Sequence, residues 1–169
     1  MKFKNILFFS FLLFTAFGVN AQNRKDSANA LSKVSFKDRI TFNIGGGLMF
    51  GNTYTNINLQ PQIGYRITPR FTSGIGGNFQ YYRNTFLSPD PFLIYGGNVF
   101  SRYMVSDNLF AQAEYQLLQF RDSWGEYALL GGGYMPSRGV YVSAYYLLMY
   151  PRSNNLYGAP YVIRIGFIL

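Results

Sequence analysis

The sequence predicts an all-β protein, an eight-stranded antiparallel up-and-down transmembrane β-barrel. Three observations predict it. From Ile40 onward apolar and polar residues alternate with a period of two almost everywhere, and no stretch sustains a helical period. Short and longer connections between the alternating segments follow one another in strict succession. The composition is 20% aromatic and 13% charged, against roughly 25% charged in an ordinary soluble domain.

The segments come in order after a leader. Lys2 and Lys4 precede an apolar run, Ile6 to Val19, that is short for a membrane span and ends in the small-residue site Val19-Asn20-Ala21. This pattern predicts a cleaved signal peptide over 1–21. Residues 22–39 (QNRKDSANALSKVSFKDR) are polar, basic and non-alternating, and read as a periplasmic tail or short helix ahead of a barrel over 40–169. The eight strands expected are Ile40 to Phe50, Thr55 to Ile67, Phe71 to Asn84, Leu93 to Val105, Leu109 to Phe120, Tyr127 to Met135, Val140 to Tyr150 and Tyr161 to Leu169. Short turns fall at Thr68-Pro69-Arg70, Ser106-Asp107-Asn108 and Pro136 to Gly139. Longer links fall at Gly51 to Tyr54, Thr85 to Phe92, Arg121 to Glu126 and Pro151 to Pro160. An up-and-down barrel with one short-turn rim and one loop rim has this rhythm, and an even strand count places both barrel ends at the periplasm.

The second strand shows which face meets which medium. Ile57, Leu59, Pro61, Ile63, Tyr65 and Ile67 share one face, and Asn56, Asn58, Gln60, Gln62, Gly64 and Arg66 the other. The fifth sets Leu109, Ala111, Ala113, Tyr115 and Leu117 against Gln112, Glu114 and Gln116. A water-exposed strand face would carry many lysines and glutamates. Here the polar face is Asn, Gln, Ser, Thr and Gly, which suits a narrow lumen, and the apolar face is expected to meet lipid. In hydrocarbon every backbone group must be paired within the protein, so the sheet must close.

Tyr65, Tyr81, Tyr103, Tyr146, Tyr150 and Tyr161 fall toward strand ends, as aromatic girdles do. Inward Tyr82, Tyr134, Tyr141 and Tyr145 are expected to help plug the lumen, and Pro61 to mark a bulge. Eight strands enclose an interior that side chains just fill, so no open pore is expected. The glycine clusters are followed by no helix or Lys-Ser pair, which excludes a phosphate loop.

By parity Arg66, Arg102, Glu114 and Arg164 point inward. Glu114 lies five residues from Leu109, and Arg164 five from Leu169, so the two are expected at similar depth. A buried carboxylate needs a partner, and a lumenal ion-pair cluster centred on Glu114 is expected. With no histidine and no cysteine in the chain, the usual general base, thiol nucleophile, disulfide and imidazole or thiolate metal site are all missing. No enzyme activity and no cofactor are expected. Without Lys2 and Lys4 the chain keeps 13 basic and 7 acidic residues, a net charge of +6. An exported chain seldom meets nucleic acid, so the partners expected are outer-membrane lipid and lipopolysaccharide. Arg83, Arg121 and Arg152, near the loop rim, are the candidate lipopolysaccharide contacts.

PQIGYRIT before the first short turn, the Val105 to Phe110 turn into AQAEYQ, LLGGGYMP, and the terminal YVIRIGFIL resemble the small eight-stranded outer-membrane β-barrel proteins of the OmpA and OmpX transmembrane-barrel type. The chain looks most like the small barrels that recur in outer membranes of Gram-negative bacteria. The resemblance covers Ile40 to Leu169 and implies insertion by the barrel-assembly machinery, whose usual terminal aromatic residue is replaced here by Leu169, with Phe167 two places earlier. Its motifs specify architecture and assembly and say little about activity; the leading expectation is a structural or interaction role, with an unidentified outer-membrane protein as a possible partner. A lipocalin-like binder of a small apolar ligand is the second reading and a lipid-modifying outer-membrane enzyme the third.

Overall fold

A computed structural model describes residues 35–50, 54–84, 88–120, 123–137, 139–151 and 160–169. The expected signal peptide and the tail as far as residue 34 lie outside the described residues. The last tail residues enter the barrel through a 3-10 turn, Lys37–Arg39.

Eight strands follow: β1 (Ile40–Phe50), β2 (Tyr54–Arg66), β3 (Phe71–Asn84), β4 (Ser88–Met104), β5 (Leu109–Phe120), β6 (Ser123–Ser137), β7 (Val140–Met149) and β8 (Tyr161–Ile168). Each pairs antiparallel with its sequence neighbours, and β8 returns to β1 to close the barrel. The closing seam is brief, running from Asn43↔Ile168 to Gly46↔Ile165. One further bond, from Leu169 N to the Phe42 carbonyl oxygen at 2.8 Å, extends it. Closure leaves no edge, which is how an antiparallel sheet of this size pairs its whole backbone.

Two links are shorter than the sequence suggests. β4 begins at Ser88 and β6 at Ser123, inside stretches whose Pro, Asp, Ser and Gly residues read as loop. Pairing with the neighbouring strand overrides those local preferences. A register shift between Tyr82 and Asn84 admits the pair Asn84↔Ser88, and β5 pairs with β6 without interruption out to Phe120↔Ser123. Pro61 makes no bulge. The register is the same on either side of it, Leu59↔Phe79 and Gln62↔Gly76, so the proline interrupts the ladder by its missing N–H alone.

The outer face is apolar. Ile63, Ile75, Phe79, Val99, Leu130 and Ile163 are all exposed there. The inner face is polar at its centre, where Gln60, Asn78, Gln80, Asn98, Gln112 and Gln116 are buried. Toward the loop rim the interior turns apolar. Ile94, Leu118, Tyr127, Leu129, Tyr145 and Leu147 form one buried cluster, with Tyr82, Phe92, Phe120 and Val162 packed against it. Here the inward residues of β6 are as greasy as the outward ones: Leu129 is 1% exposed and Leu130 49%. Tyr134 corrects another expectation. Odd-numbered residues of β6 face inward, so Tyr134 faces out and is 49% exposed, whereas Tyr141 and Tyr145 are buried.

Large inward side chains fit because their neighbours are small. The Tyr141 ring lies across Gly166, its partner on β8, and a Cβ at Gly166 would overlap that ring. A Cβ at Gly133 would likewise overlap the ring of Phe110, its partner on β5. Glycine is needed at both positions for close approach rather than for backbone freedom.

Candidate functional site

β5 and β8 bring the site together. Period-two alternation puts Gln112, Glu114 and Gln116 on one inward column of β5, while Arg164 faces inward from β8. Arg164 Nη1 donates to Glu114 Oε1 at 2.9 Å and to Oε2 at 2.8 Å. Both side chains are almost wholly shielded from solvent. The amides complete the carboxylate's shell: Gln112 Nε2 donates to Oε1 at 2.6 Å, Gln116 Nε2 to Oε2 at 2.7 Å and Gln60 Nε2 to Oε2 at 3.2 Å. A buried carboxylate so completely bonded meets its desolvation cost through charge and hydrogen bonds together.

The network runs in two directions from Glu114. Asn78 Nδ2 donates to Gln116 Oε1 at 3.4 Å, and Asn58 Nδ2 to Asn78 Oδ1 at 3.3 Å. Toward the short-turn rim, Arg102 Nε donates to Gln112 Oε1 at 2.5 Å. The Arg102 guanidinium also sits over the rings of Phe110, at 4.5 Å, and Tyr141, at 5.1 Å. Arg164 sits over Tyr145 at 4.6 Å. Each cation thus has an aromatic face beside it, an arrangement worth more where water is excluded.

Of the four residues the sequence groups together, Glu114 and Arg164 are in direct contact and Arg102 joins through Gln112. Arg66 does not join. It lies at the end of β2, paired with Thr72 beside the short turn, and is exposed. Its parity is inward, but the barrel ends there and the long side chain reaches solvent. The glutamines Gln60, Gln112 and Gln116 were not singled out from sequence. Their signal was present, since two of them flank Glu114 at i−2 and i+2 on the same face.

Arg83 is exposed on the outer side of β3 near the loop rim. Arg121 and Arg152 lie outside the described residues. Ser143, Ser73 and Ser101 are each hydrogen-bonded within the barrel wall. Ser143 Oγ donates to the Arg164 carbonyl oxygen at 3.5 Å and Ser73 Oγ to that of Phe100 at 3.0 Å. Ser73 and Ser101 share a bond at 3.3 Å. Among the described residues no group of three His, Cys, Asp or Glu side chains gathers to hold a metal ion.

Fold and interior together define a class: a closed eight-stranded up-and-down barrel with a side-chain-filled, ion-paired lumen. In comparison with known proteins the chain matches no family model, no curated protein and no solved structure.

Proposed function

We propose that the chain is a small outer-membrane β-barrel of the OmpA and OmpX transmembrane type, with a structural or interaction role and no open pore. One observation carries this reading: the sheet is inside out relative to a soluble barrel. Asparagine, glutamine, arginine and glutamate are buried, while isoleucine, leucine, valine and phenylalanine cover the exterior. Water would penalise so large a continuous apolar exterior, and hydrocarbon favours it.

The exterior also has the height of a bilayer core. Trp124 and Tyr134 both face outward on β6, ten residues apart. At about 3.3 Å per residue and a strand tilt near 40° they bracket roughly 25 Å. Tyr146 and Tyr161, cross-strand partners, sit toward the loop rim with Trp124, and Tyr103 toward the other rim with Tyr134. The outward Glu126 is exposed beside Trp124 in the same loop-rim region, a placement suited to a headgroup layer.

Detergent extraction tests the reading. The protein should stay with the membrane pellet through salt and alkali, dissolve in detergent, and migrate faster on gels before boiling than after. Release with the periplasmic contents would favour the lipocalin-like binder instead. Against that alternative, the centre of the interior holds a charged pair, and Tyr127, Leu129, Tyr145 and Leu147 already fill its apolar part.

A further inference from the structure

Among the described residues, one sector of the short-turn rim is strongly basic. Lys37 and Arg39 come from the 3-10 turn, Arg66 from the end of β2 and Arg70 from the β2–β3 turn. Asp38 is the one acid among them. Thr68 Oγ1 accepts the amide hydrogens of Arg70 at 3.3 Å and Phe71 at 2.9 Å, which fixes the turn that presents Arg70. The β4–β5 turn, by contrast, carries Asp107.

Below these cations lies an apolar column on the outer wall. Phe36 packs on Tyr65 with ring centroids 5.3 Å apart, yet remains 67% exposed. The Tyr65 hydroxyl accepts from Arg39 Nη1 at 3.4 Å, tying the turn to the barrel. Further down, Phe42 and Ile63 are paired across β1 and β2, and both are exposed. Cations at the rim, an aromatic pair beneath them and an aliphatic track below match a phospholipid read from phosphate to acyl chain.

We infer that this sector is a binding site for one anionic phospholipid, with its phosphate on Lys37, Arg66 and Arg70 and an acyl chain along Phe36, Ile63 and Phe42. The inference rests on the membrane reading above. In that orientation the short turns face the periplasmic leaflet, which makes phospholipid the occupant and not the lipopolysaccharide of the opposite side.

Purified protein in detergent is offered equal amounts of phosphatidylglycerol, phosphatidylcholine and lipopolysaccharide, and retained lipid is counted by native mass spectrometry. The wild-type chain should retain phosphatidylglycerol about tenfold over phosphatidylcholine. The K37A/R66A/R70A variant, checked for folding by its heat-modifiable gel mobility, should fall to within about twofold, as should the wild-type chain in about 0.5 M salt. Equal retention of the two lipids by the wild-type chain overturns the inference, and so does a preference that survives the triple replacement or the salt. Selective retention of lipopolysaccharide in place of phosphatidylglycerol overturns it as well. Vesicle flotation keeps the two readings apart: a chain that enters vesicles of either lipid but shows no preference sinks only the lipid site. A chain that enters neither sinks the membrane reading and the site with it.

Discussion

Arg164 uses a single nitrogen, Nη1, to reach both carboxylate oxygens of Glu114, at 2.9 and 2.8 Å, from a strand 50 residues away in the chain. The pair joins β8 to β5 across the interior, between strands that share no backbone ladder. Its energetic meaning follows from its surroundings. Removing one partner leaves its buried counterpart unpaired, whereas removing both leaves the amide shell and Arg102, which stays bonded to Gln112 and stacked on Phe110 and Tyr141.

Replacing Arg164 by Met should therefore destabilise the barrel by about 3–5 kcal/mol. The double variant E114Q/R164M should recover most of that loss, because Gln60, Gln112 and Gln116 can bond a neutral amide. Urea unfolding in lipid vesicles, followed by Trp124 fluorescence, measures both. Equal destabilisation of single and double variants would show that the pair carries no special strain when broken.

Val99 faces outward midway between Tyr95 and Tyr103 and is 52% exposed. Val99→Arg should cost about 2–4 kcal/mol if hydrocarbon surrounds it, and close to nothing if water does. The same unfolding measurement decides. A neutral result at Val99 and at Leu130, two strands further round the barrel on β6, would remove the apolar band as an argument for lipid.

Trp124 is the chain's one tryptophan, so its fluorescence reports a single position at the loop rim. In vesicles its emission should shift to the blue relative to the unfolded chain. Lipids brominated close to the headgroup should quench it more than lipids brominated at the chain end. The reverse ranking would place Trp124 at mid-bilayer and break the girdle assignment.

Gly166→Leu should prevent normal packing, since Tyr141 already occupies the space over Gly166. Overpacking of this kind costs about 1–3 kcal/mol. Tyr141→Ala in the same chain should restore part of the loss by opening room for the leucine. Heat-modifiable mobility and the midpoint of unfolding read both effects.

Strand existence, pairing order and face assignment were legible because they depend on a period of two, which tertiary structure cannot alter without exposing polar backbone. Ile57 outward with Gln60 inward, and Ile163 outward with Arg164 inward, follow from parity alone. Parity could not say where the barrel wall ends, and so Arg66 was grouped with residues it does not meet. Composition misled at the loop rim, where Ser88 to Phe92 and Ser123 to Glu126 have turn chemistry but strand pairing. The polarity rule also loses force there, because Leu118, Tyr127 and Leu129 face inward and hydrophobic residues line both sides of the wall. The Glu114–Arg164 contact needs only matching depth and facing strands, which counting residues from the strand ends supplies. The amide shell needs the barrel's actual diameter, which no count of residues yields.

The short meeting of the first and last strands has a consequence for biogenesis. Asn43 and Ile168 are 125 positions apart (168 less 43), so every strand between them must be synthesised before the circumference can be completed. Until then the outer rows of N–H and C=O groups on β1 and on the newest strand stay open and prone to mispairing. Deleting Tyr161–Ile168 should accordingly yield no smaller cylinder, only an unfinished ribbon destined for proteolysis or aggregation.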